Sequence, residues 1–208
     1  MAERFRDFAR DPVTLARRLL GQRLVRLQDG RRVAGRIVEV EAYLGAVDEA
    51  AHTYGGRRTP RNASMYLEGG HAYVYFVYGM HYCMNVVCGK ADEGVAVLLR
   101  ALEPCEGLEE MARRRPTARR EADLCRGPAC LTAALAVDRT LDGADLLRDP
   151  RIWIERLRKR ALPAREIVTT PRIGVDYAGA WSLEPLRFLI RDNPCVSGPR
   201  KKGRPARS

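Results

Sequence analysis

Two glutamates stand two residues apart in the stretch RIVEVEAYLG, residues 36–45. Side chains alternate between the two faces of a β-strand, so Glu39 and Glu41 are predicted to share one face. Ile37 and Tyr43 would lie on that face as well. The opposite face, which is apolar and suited to a core, carries Val38, Val40 and Ala42. We therefore expect both carboxylates to face a cleft or solvent, where they either pair with arginines or act as a general base.

A cluster of tyrosines follows in the stretch HAYVYFVYGMHY, residues 71–82. Tyrosine is an ordinary strand residue, but several rings on one sheet can also line a pocket for a flat ligand. Tyr78 differs from the others because Gly79 indicates a hairpin turn, where an exposed ring is costly unless it enters a partner. The cluster consists of Tyr73, Tyr75, Tyr78 and Tyr82, with Tyr43 on the glutamate strand.

Two further polar residues occupy positions that need an explanation. Arg100 ends the apolar run VAVLLR, and a buried arginine requires a carboxylate partner or a ligand. His52 lies in a loop, residues 45–70, that is rich in glycine and long enough to be functional. A lone histidine in a loop is also commonly structural, so both interpretations of His52 stay open.

The chain is strongly basic, with 37 lysines and arginines against 26 acids and a net charge of +11 over 208 residues. A positive excess concentrates polyanions by long-range attraction, which favours a phosphate-bearing partner. The alternative is a basic enzyme from a genome rich in G and C, in which arginine replaces lysine.

Signals for metals, disulfides and membranes are weak. None of the six cysteines belongs to a CxxC pair, and the three histidines lack metal-ligand spacing with them. No run approaches the roughly 20 apolar residues of a membrane span, and no apolar signal begins the chain. We expect free thiols in a reducing cytoplasm, no metal site and no membrane partner.

The residues discussed above fall on elements that the local sequence predicts. DPVTLARRLLG, residues 11–21, has Asp11 as a cap, Pro12 in the first turn and a final glycine, and predicts a helix. A turn at Asp29 and Gly30 joins two strands into an antiparallel hairpin whose second strand carries the glutamates. Further strands are predicted at 71–77, 82–89, 95–102, 152–157 and 185–191, and helices after residue 106 and from Pro128.

Neighbouring hairpins, rather than alternating strands and helices, indicate an α+β fold. At 46% hydrophobic residues, the chain can bury one core. We predict a single domain over residues 1–197, with a mainly antiparallel, curved β-sheet flanked by helices. The stretch GPRKKGRPARS, residues 198–208, is predicted to be a disordered basic tail.

Several stretches of the chain resemble the alkyladenine (3-methyladenine) DNA glycosylase family. They run in order from about residue 12 to residue 196 and cover nearly the whole predicted domain. They read RIVEVEAYLGAVDEAAH, GGRRTPRN, YVYFVYGMHYCMN, VLLRALEP, GPACLTAALAVD, RIGVDYAGAW and PLRFLIR. The resemblance implies an enzyme that flips damaged purines out of double-stranded DNA and hydrolyses their N-glycosidic bond.

The resemblance assigns catalytic roles to three residues. Glu41 matches the general base that orients and deprotonates the attacking water. Arg100 matches the arginine that helps to hold this water, and the backbone carbonyl of Val175 matches its third anchor. Glu39 matches a position without a catalytic role. We expect the charge of Arg100 to lower the pKa of Glu41 and keep it ionised.

The resemblance also assigns residues to a pocket for the flipped base. Tyr43, His52 and Tyr75 match the residues that sandwich the base. Asn85 matches the asparagine that excludes guanine through a clash with its exocyclic amine. Tyr78 matches the tyrosine that enters the DNA through the minor groove.

The implied reaction is base release without strand cleavage. Glycosylases that also cut the strand use an amine nucleophile, and Lys90 and Lys159 lie in no pocket motif. The implied substrates are purines of the 3-methyladenine, 7-methylguanine, hypoxanthine and etheno-adenine classes. We expect a monomer that requires no cofactor.

Two other functions are compatible with the same residues. A non-catalytic binding protein could use the tyrosines to recognise distorted DNA or RNA. A nuclease would hold a metal ion with acidic residues, of which the paired glutamates are a weak version. Glu41→Gln separates glycosylase from binding protein, because it should abolish base release and preserve binding.

Overall fold

The computed structural model describes residues 3–77 and 79–198. In this part of the chain the helices are α1 (Pro12–Leu19), α2 (Leu108–Arg114) and α3 (Pro128–Ala134). The strands are β1 (Arg23–Gln28), β2 (Arg31–Tyr43), β3 (Ala72–Val77), β4 (His81–Cys88), β5 (Val95–Glu106), β6 (Ile152–Glu155), β7 (Ile167–Thr170) and β8 (Arg187–Ile190). Short 3₁₀ helices lie at Gly45–Val47, Tyr54–Gly56, Ala63–Tyr66, Glu121–Asp123, Arg139–Leu141, Ala164–Glu166 and Gly179–Ser182.

The strands pair in the order β3-β4-β5-β2-β1-β6, with β8 added to β2 and β7 to β8. Every pairing between these strands is antiparallel. Strand β2 lies at the centre, because β1 pairs with its first half, β8 with its second half and β5 along most of its length. The predicted α+β fold with a mainly antiparallel sheet is confirmed, and both glutamates lie on its central strand.

Local capping and turn residues explain two of the elements. Asp11 caps α1 by accepting a hydrogen bond from the backbone N–H of Thr14 at 2.9 Å, and Pro12 begins the helix. Asp29 and Gly30 have φ angles of 51° and 73° between β1 and β2. Two consecutive positive φ angles are what a two-residue type I′ hairpin requires. Both sequence predictions are confirmed.

Strand β2 departs from the simple alternation that the sequence predicted. Its register with β5 shifts on both sides of Glu39. Ile37 and Val40 both lie in the main core, whereas Val38 packs in a separate small cluster with Ala101. The predictions that Ile37 shares the glutamate face and that Val38 shares the main core face are therefore wrong. A β-bulge interrupts the alternation, because it places an extra residue opposite one residue of the partner strand.

The remaining differences concern short or charged segments. Strand β7 was not predicted, and the loop at 45–70 contains three short 3₁₀ helices. All six cysteines are free thiols. None of the helices in the described ranges combines the length and the apolar character that crossing a bilayer demands. The predicted basic tail lies outside the described residues, apart from Gly198.

Candidate active site

Glu41 is fully buried on β2, and three groups hold its carboxylate. Its Oε1 accepts a hydrogen bond from the backbone N–H of Ile173 at 2.8 Å and lies 3.2 Å from Nη1 of Arg100. Its Oε2 accepts a hydrogen bond from the Tyr43 hydroxyl at 3.1 Å. Tyr43, Arg100 and Ile173 all line one cavity, so the carboxylate lies directly behind the cavity wall.

Burial is the largest single influence on the pKa of Glu41. Burial raises the pKa of Glu41, and this effect exceeds the opposite effects of the Arg100 charge, the Ile173 N–H and the Tyr43 hydroxyl. Arg100 acts in the predicted direction, but the net pKa lies above the ordinary value for glutamate. Burial outweighs the charge of Arg100 because a carboxylate without water is costly. The ionisation of Glu41 at neutral pH stays a prediction.

Glu39 is also fully buried, but its surroundings are saturated with donors. Its Oε1 accepts from Nε of Arg100 at 3.0 Å, from Nε of Arg187 at 2.7 Å and from the Ser197 hydroxyl at 2.8 Å. Its Oε2 accepts from the Ser197 backbone N–H. Burial raises the pKa of Glu39, but the two arginines and Ser197 outweigh it, so the net pKa lies below the ordinary value.

The cavity beside Glu41 has a volume of about 230 Å³. This is below the roughly 300–1,000 Å³ of pockets for drug-sized ligands, so the cavity suits a small ring system. The structure brings six predicted site residues together in its wall, and they are Tyr43, His52, Tyr75, Asn85, Arg100 and Val175. Segments that lie far apart in the sequence thus meet around one space.

Aromatic rings form one side of this cavity. The rings of His52 and Tyr75 lie 4.6 Å apart at 72°, and those of Tyr73 and Tyr75 lie 5.2 Å apart at 28°. Nδ1 of His52 is 2.7 Å from the Tyr73 hydroxyl oxygen. Burial, with the charges of Arg61 and Arg57, lowers the pKa of His52 to about 4. The imidazole is therefore uncharged at neutral pH.

Tyr73 is a cavity residue that the sequence-based assignment missed. It was noted within the tyrosine cluster, but no site role was given to it. In the structure it is buried, stacks on Tyr75 and shares the short contact with His52. Its alternation with Tyr75 along β3 was the available signal, since residues i and i+2 share a strand face.

Asn85 lies on β4 with its side chain buried at the cavity wall. Its amide nitrogen donates a hydrogen bond to the backbone carbonyl of Tyr73 at 3.2 Å. This bond crosses between paired strands, because Tyr73 is the direct partner of Asn85 in the sheet. The side chain is therefore held in a fixed position.

Val175 lies in the segment that follows β7 and packs with Ala50 and Ala178 beside Tyr43. Its backbone carbonyl accepts a hydrogen bond from the N–H of Ala178 at 2.9 Å. The backbone group of this segment that contacts Glu41 is instead the N–H of Ile173. The role of the Val175 carbonyl as an anchor for water stays a prediction.

A buried ion pair joins the two loops around the cavity. Arg172 donates from Nη1 and Nη2 to the carboxylate of Asp48 at 2.6 and 2.8 Å, and both side chains are fully buried. Arg172 also donates to the backbone carbonyl of Ala42 at 3.0 Å and lies over the Tyr43 ring at 4.7 Å. No site role was predicted for this pair. Its sequence signal was an acid, Asp48, in one motif and an arginine, Arg172, in another.

Tyr78 itself lies outside the described residues. The residues around it form the predicted hairpin turn, since Gly79 has a φ of 68° and the N–H of Met80 donates to the carbonyl of Val77 at 3.3 Å. Val77 lines the cavity, and the side chain of Met80 is exposed. The turn therefore lies at the edge of the cavity.

The described ranges contain no group of three or more histidines, cysteines and acids that could hold a metal ion. Arg61 also borders the cavity, and its guanidinium lies 5.4 Å from the centre of the Tyr75 ring. The chemical groups available in the cavity wall are thus aromatic faces, arginine nitrogens, an amide and the Cys83 thiol, with the Glu41 carboxylate behind them.

Comparisons with known proteins agree on one family. The family model for methylpurine-DNA glycosylase matches residues 6–194. The mouse DNA-3-methyladenine glycosylase is 47% identical over 199 residues, which are 91% of this chain and 59% of that protein. The human DNA-3-methyladenine glycosylase is 48% identical over 200 residues, which are 91% of this chain and 66% of that protein.

Coverage differs among the relatives. The chain spans less than two thirds of the length of these two relatives. A relative from Methanocella arvoryzae is 46% identical over 193 residues, which are 92% of this chain and 94% of that protein. The motifs that suggested the resemblance thus belong to a match over nearly the whole described chain. The chain belongs to the methylpurine-DNA glycosylase family.

Proposed function

We propose that this protein is a monofunctional DNA glycosylase that flips damaged purines from duplex DNA and hydrolyses their N-glycosidic bond. The observation that carries the proposal is the position of Glu41, a buried carboxylate whose three partners line an aromatic cavity. The names of the mouse and human relatives, DNA-3-methyladenine glycosylase, support the same activity. The product would be an abasic site for base excision repair.

Glu41 would act as the general base toward water. A carboxylate with a raised pKa accepts a proton more readily than one with an ordinary pKa. Arg100 lies 3.2 Å from it and would help to orient the water. The negative charge of Glu41 would also stabilise the positive charge that develops on the sugar as the base departs.

The cavity would select damaged purines by their shape and charge. Stacking of a base on aromatic side chains contributes about 1–3 kcal/mol, and it favours an electron-poor, alkylated ring. An uncharged His52 does not repel such a cation. Asn85, held against Tyr73, would exclude guanine through its exocyclic amine. These features support substrates of the 3-methyladenine, 7-methylguanine, hypoxanthine and etheno-adenine classes.

Strand cleavage would require an amine nucleophile close to the sugar. No lysine of the described ranges lies in the cavity wall. We therefore propose that the enzyme leaves the strand intact. We further propose that it acts as a monomer in the cytoplasm and that Tyr78 fills the space left by the flipped base. Incubation with borohydride and a hypoxanthine duplex should trap no covalent complex, and a trapped complex would refute monofunctionality.

The decisive experiment is a panel of duplexes that each carry one damaged purine. The wild type should release bases from several of them, and Glu41→Gln should bind the same duplexes and release almost none. Glu103→Gln is a matched control. Glu103 on β5 also pairs with an arginine, Arg36 on β2, but its side chain is 40% exposed. Binding without release by the wild type would favour the non-catalytic DNA- or RNA-binding alternative.

A further inference from the structure

One guanidinium links the two buried glutamates of β2. Arg100 points Nε at Glu39, 3.0 Å away, and Nη1 at Glu41, 3.2 Å away. Its Nη2 donates to the Ser197 hydroxyl at 3.3 Å. Each nitrogen thus has a different partner, which fixes the guanidinium in both position and rotation.

Glu39 is in turn fixed by groups from the opposite end of the chain. Arg187 on β8 donates from Nε to Glu39 at 2.7 Å and from Nη2 to the backbone carbonyl of Ser197 at 3.0 Å. Ser197 donates to Glu39 through both its hydroxyl and its backbone N–H. We call Glu39, Arg100, Arg187 and Ser197 the buried clamp.

We propose that Glu39 is a positioning residue, which holds the Arg100 guanidinium so that a single edge of it faces Glu41. This inference rests on the proposed function of Glu41. With Glu39 in place, two carboxylates share the guanidinium. Without it, Nε loses its partner and the guanidinium is free to turn and pair with Glu41 through two nitrogens. That pairing would stabilise the ionised carboxylate and weaken it as a base.

Charge balance in the buried region supports this role. Arg100 and Arg187 offset the charges of Glu39 and Glu41. Removal of the Glu39 charge therefore makes the electrostatic potential at Glu41 more positive, and removal of the Arg187 charge makes it more negative. The titratable and charged groups that face Glu41 are Glu39 and Tyr43 on β2, Arg100 on β5, Tyr75 on β3, Cys83 on β4, Arg187 on β8 and Arg172 in the loop after β7. Of these, Glu39, Arg187 and Arg172 do not line the cavity, and among these three only Glu39 and Arg187 belong to the buried clamp.

Two variants with opposite charge effects test the proposal. Single-turnover base release from a hypoxanthine duplex is measured across a range of acidic to neutral pH. Glu39→Gln should shift the acid limb of the profile to lower pH by about one pH unit, and Arg187→Gln should shift it to higher pH by a similar amount. A purely structural role would lower the rate in both variants without moving the limb in opposite directions.

Glu39→Asp and Glu103→Gln complete the design. Glu39→Asp keeps the negative charge, so the acid limb of its pH profile should lie close to that of the wild type. Glu103→Gln should leave the pH profile unchanged. If Glu39→Gln does not fold, the upward shift in Arg187→Gln decides alone. Unchanged limbs in folded variants would overturn the positioning role while the proposed function stands. Absence of base release by the wild type would instead refute the proposed function.

Discussion

The two carboxylates of β2 occupy contrasting regions of the same buried strand. Glu39 lies in the buried clamp and accepts hydrogen bonds from two arginines and a serine. Glu41 lies behind the cavity, with one arginine, one hydroxyl and one backbone N–H. The pKa of Glu39 is lowered and that of Glu41 is raised. Both side chains are fully buried, so the donors around them decide the outcome: two arginines and a serine outweigh the effect of burial at Glu39, and the fewer donors at Glu41 do not.

The largest expected effect is on catalysis. Glu41→Gln should reduce single-turnover base release by a factor of about 10²–10⁴, because general base catalysis contributes on this scale. Glu39→Gln should reduce it far less at neutral pH, since the proposed role of Glu39 is to act through Arg100. Both rates are measured on the same hypoxanthine duplex, with duplex binding measured in parallel. Equal losses in the two variants would contradict the contrast between the carboxylates.

The second effect is on stability and concerns the buried clamp. Glu39→Ala leaves Arg100 and Arg187 without their shared carboxylate, and breaking a buried ion pair in this way costs about 3–5 kcal/mol. Glu103→Ala, at a partly exposed pair, should cost less than about 1 kcal/mol. Denaturant unfolding of the two variants and the wild type measures both values. A small loss in Glu39→Ala would show that the buried clamp is not needed for stability.

A smaller effect is the pH dependence of stability, which should have opposite signs at the two sites. The lowered pKa of Glu39 contributes stability that is present above its unfolded pKa and is lost as pH falls through its folded pKa. The raised pKa of Glu41 makes its ionised form unfavourable, and this cost is present above its folded pKa and disappears below its unfolded pKa. Glu41→Gln should therefore be more stable than the wild type at neutral pH. The unfolding free energies of Glu41→Gln and the wild type, measured from acidic to neutral pH, should converge as the pH falls. A difference that stays constant with pH would contradict a raised pKa of Glu41.

The smallest effect concerns the aromatic side of the cavity. His52 should titrate near pH 4 in an NMR titration of the free protein, with its signal assigned by His52→Asn. Tyr73→Phe removes the 2.7 Å contact with His52 and should slow base release by about tenfold or less, because one hydrogen bond contributes about 0.5–1.5 kcal/mol. Titration of His52 near the ordinary histidine value would mean that the cavity is more open to water than the structure indicates.

Local features of the sequence predicted much of the fold. The Asp11 cap and the turn at Asp29 and Gly30 act through neighbouring residues, so their structures follow from short-range physics. Motif resemblance assigned four residues to a base pocket and Arg100 and Val175 to the catalytic group, and the structure brings all six together in one cavity wall. Their individual roles stay predictions.

The features that the sequence did not reveal depend on long-range contacts. The register shift at Glu39 depends on pairing with β5, about 60 residues later, and no local pattern encodes it. The sign of the Glu41 pKa shift depends on complete burial, whereas the sequence revealed only the opposite charge of Arg100. The N–H of Ile173 is a backbone group, so no residue type indicated its contact with Glu41.

The contact between Glu39 and Ser197 joins residues that are 158 positions apart in the sequence. During synthesis the ribosome completes the EAYLG segment long before it adds β8 and Ser197. A nascent or prematurely terminated chain therefore has the glutamate proposed to activate the attacking water but lacks the groups that orient its arginine partner. Under the proposed function, a misassembled enzyme would be hazardous to a genome, and this order of assembly would delay full activity until β8 and Ser197 have been translated.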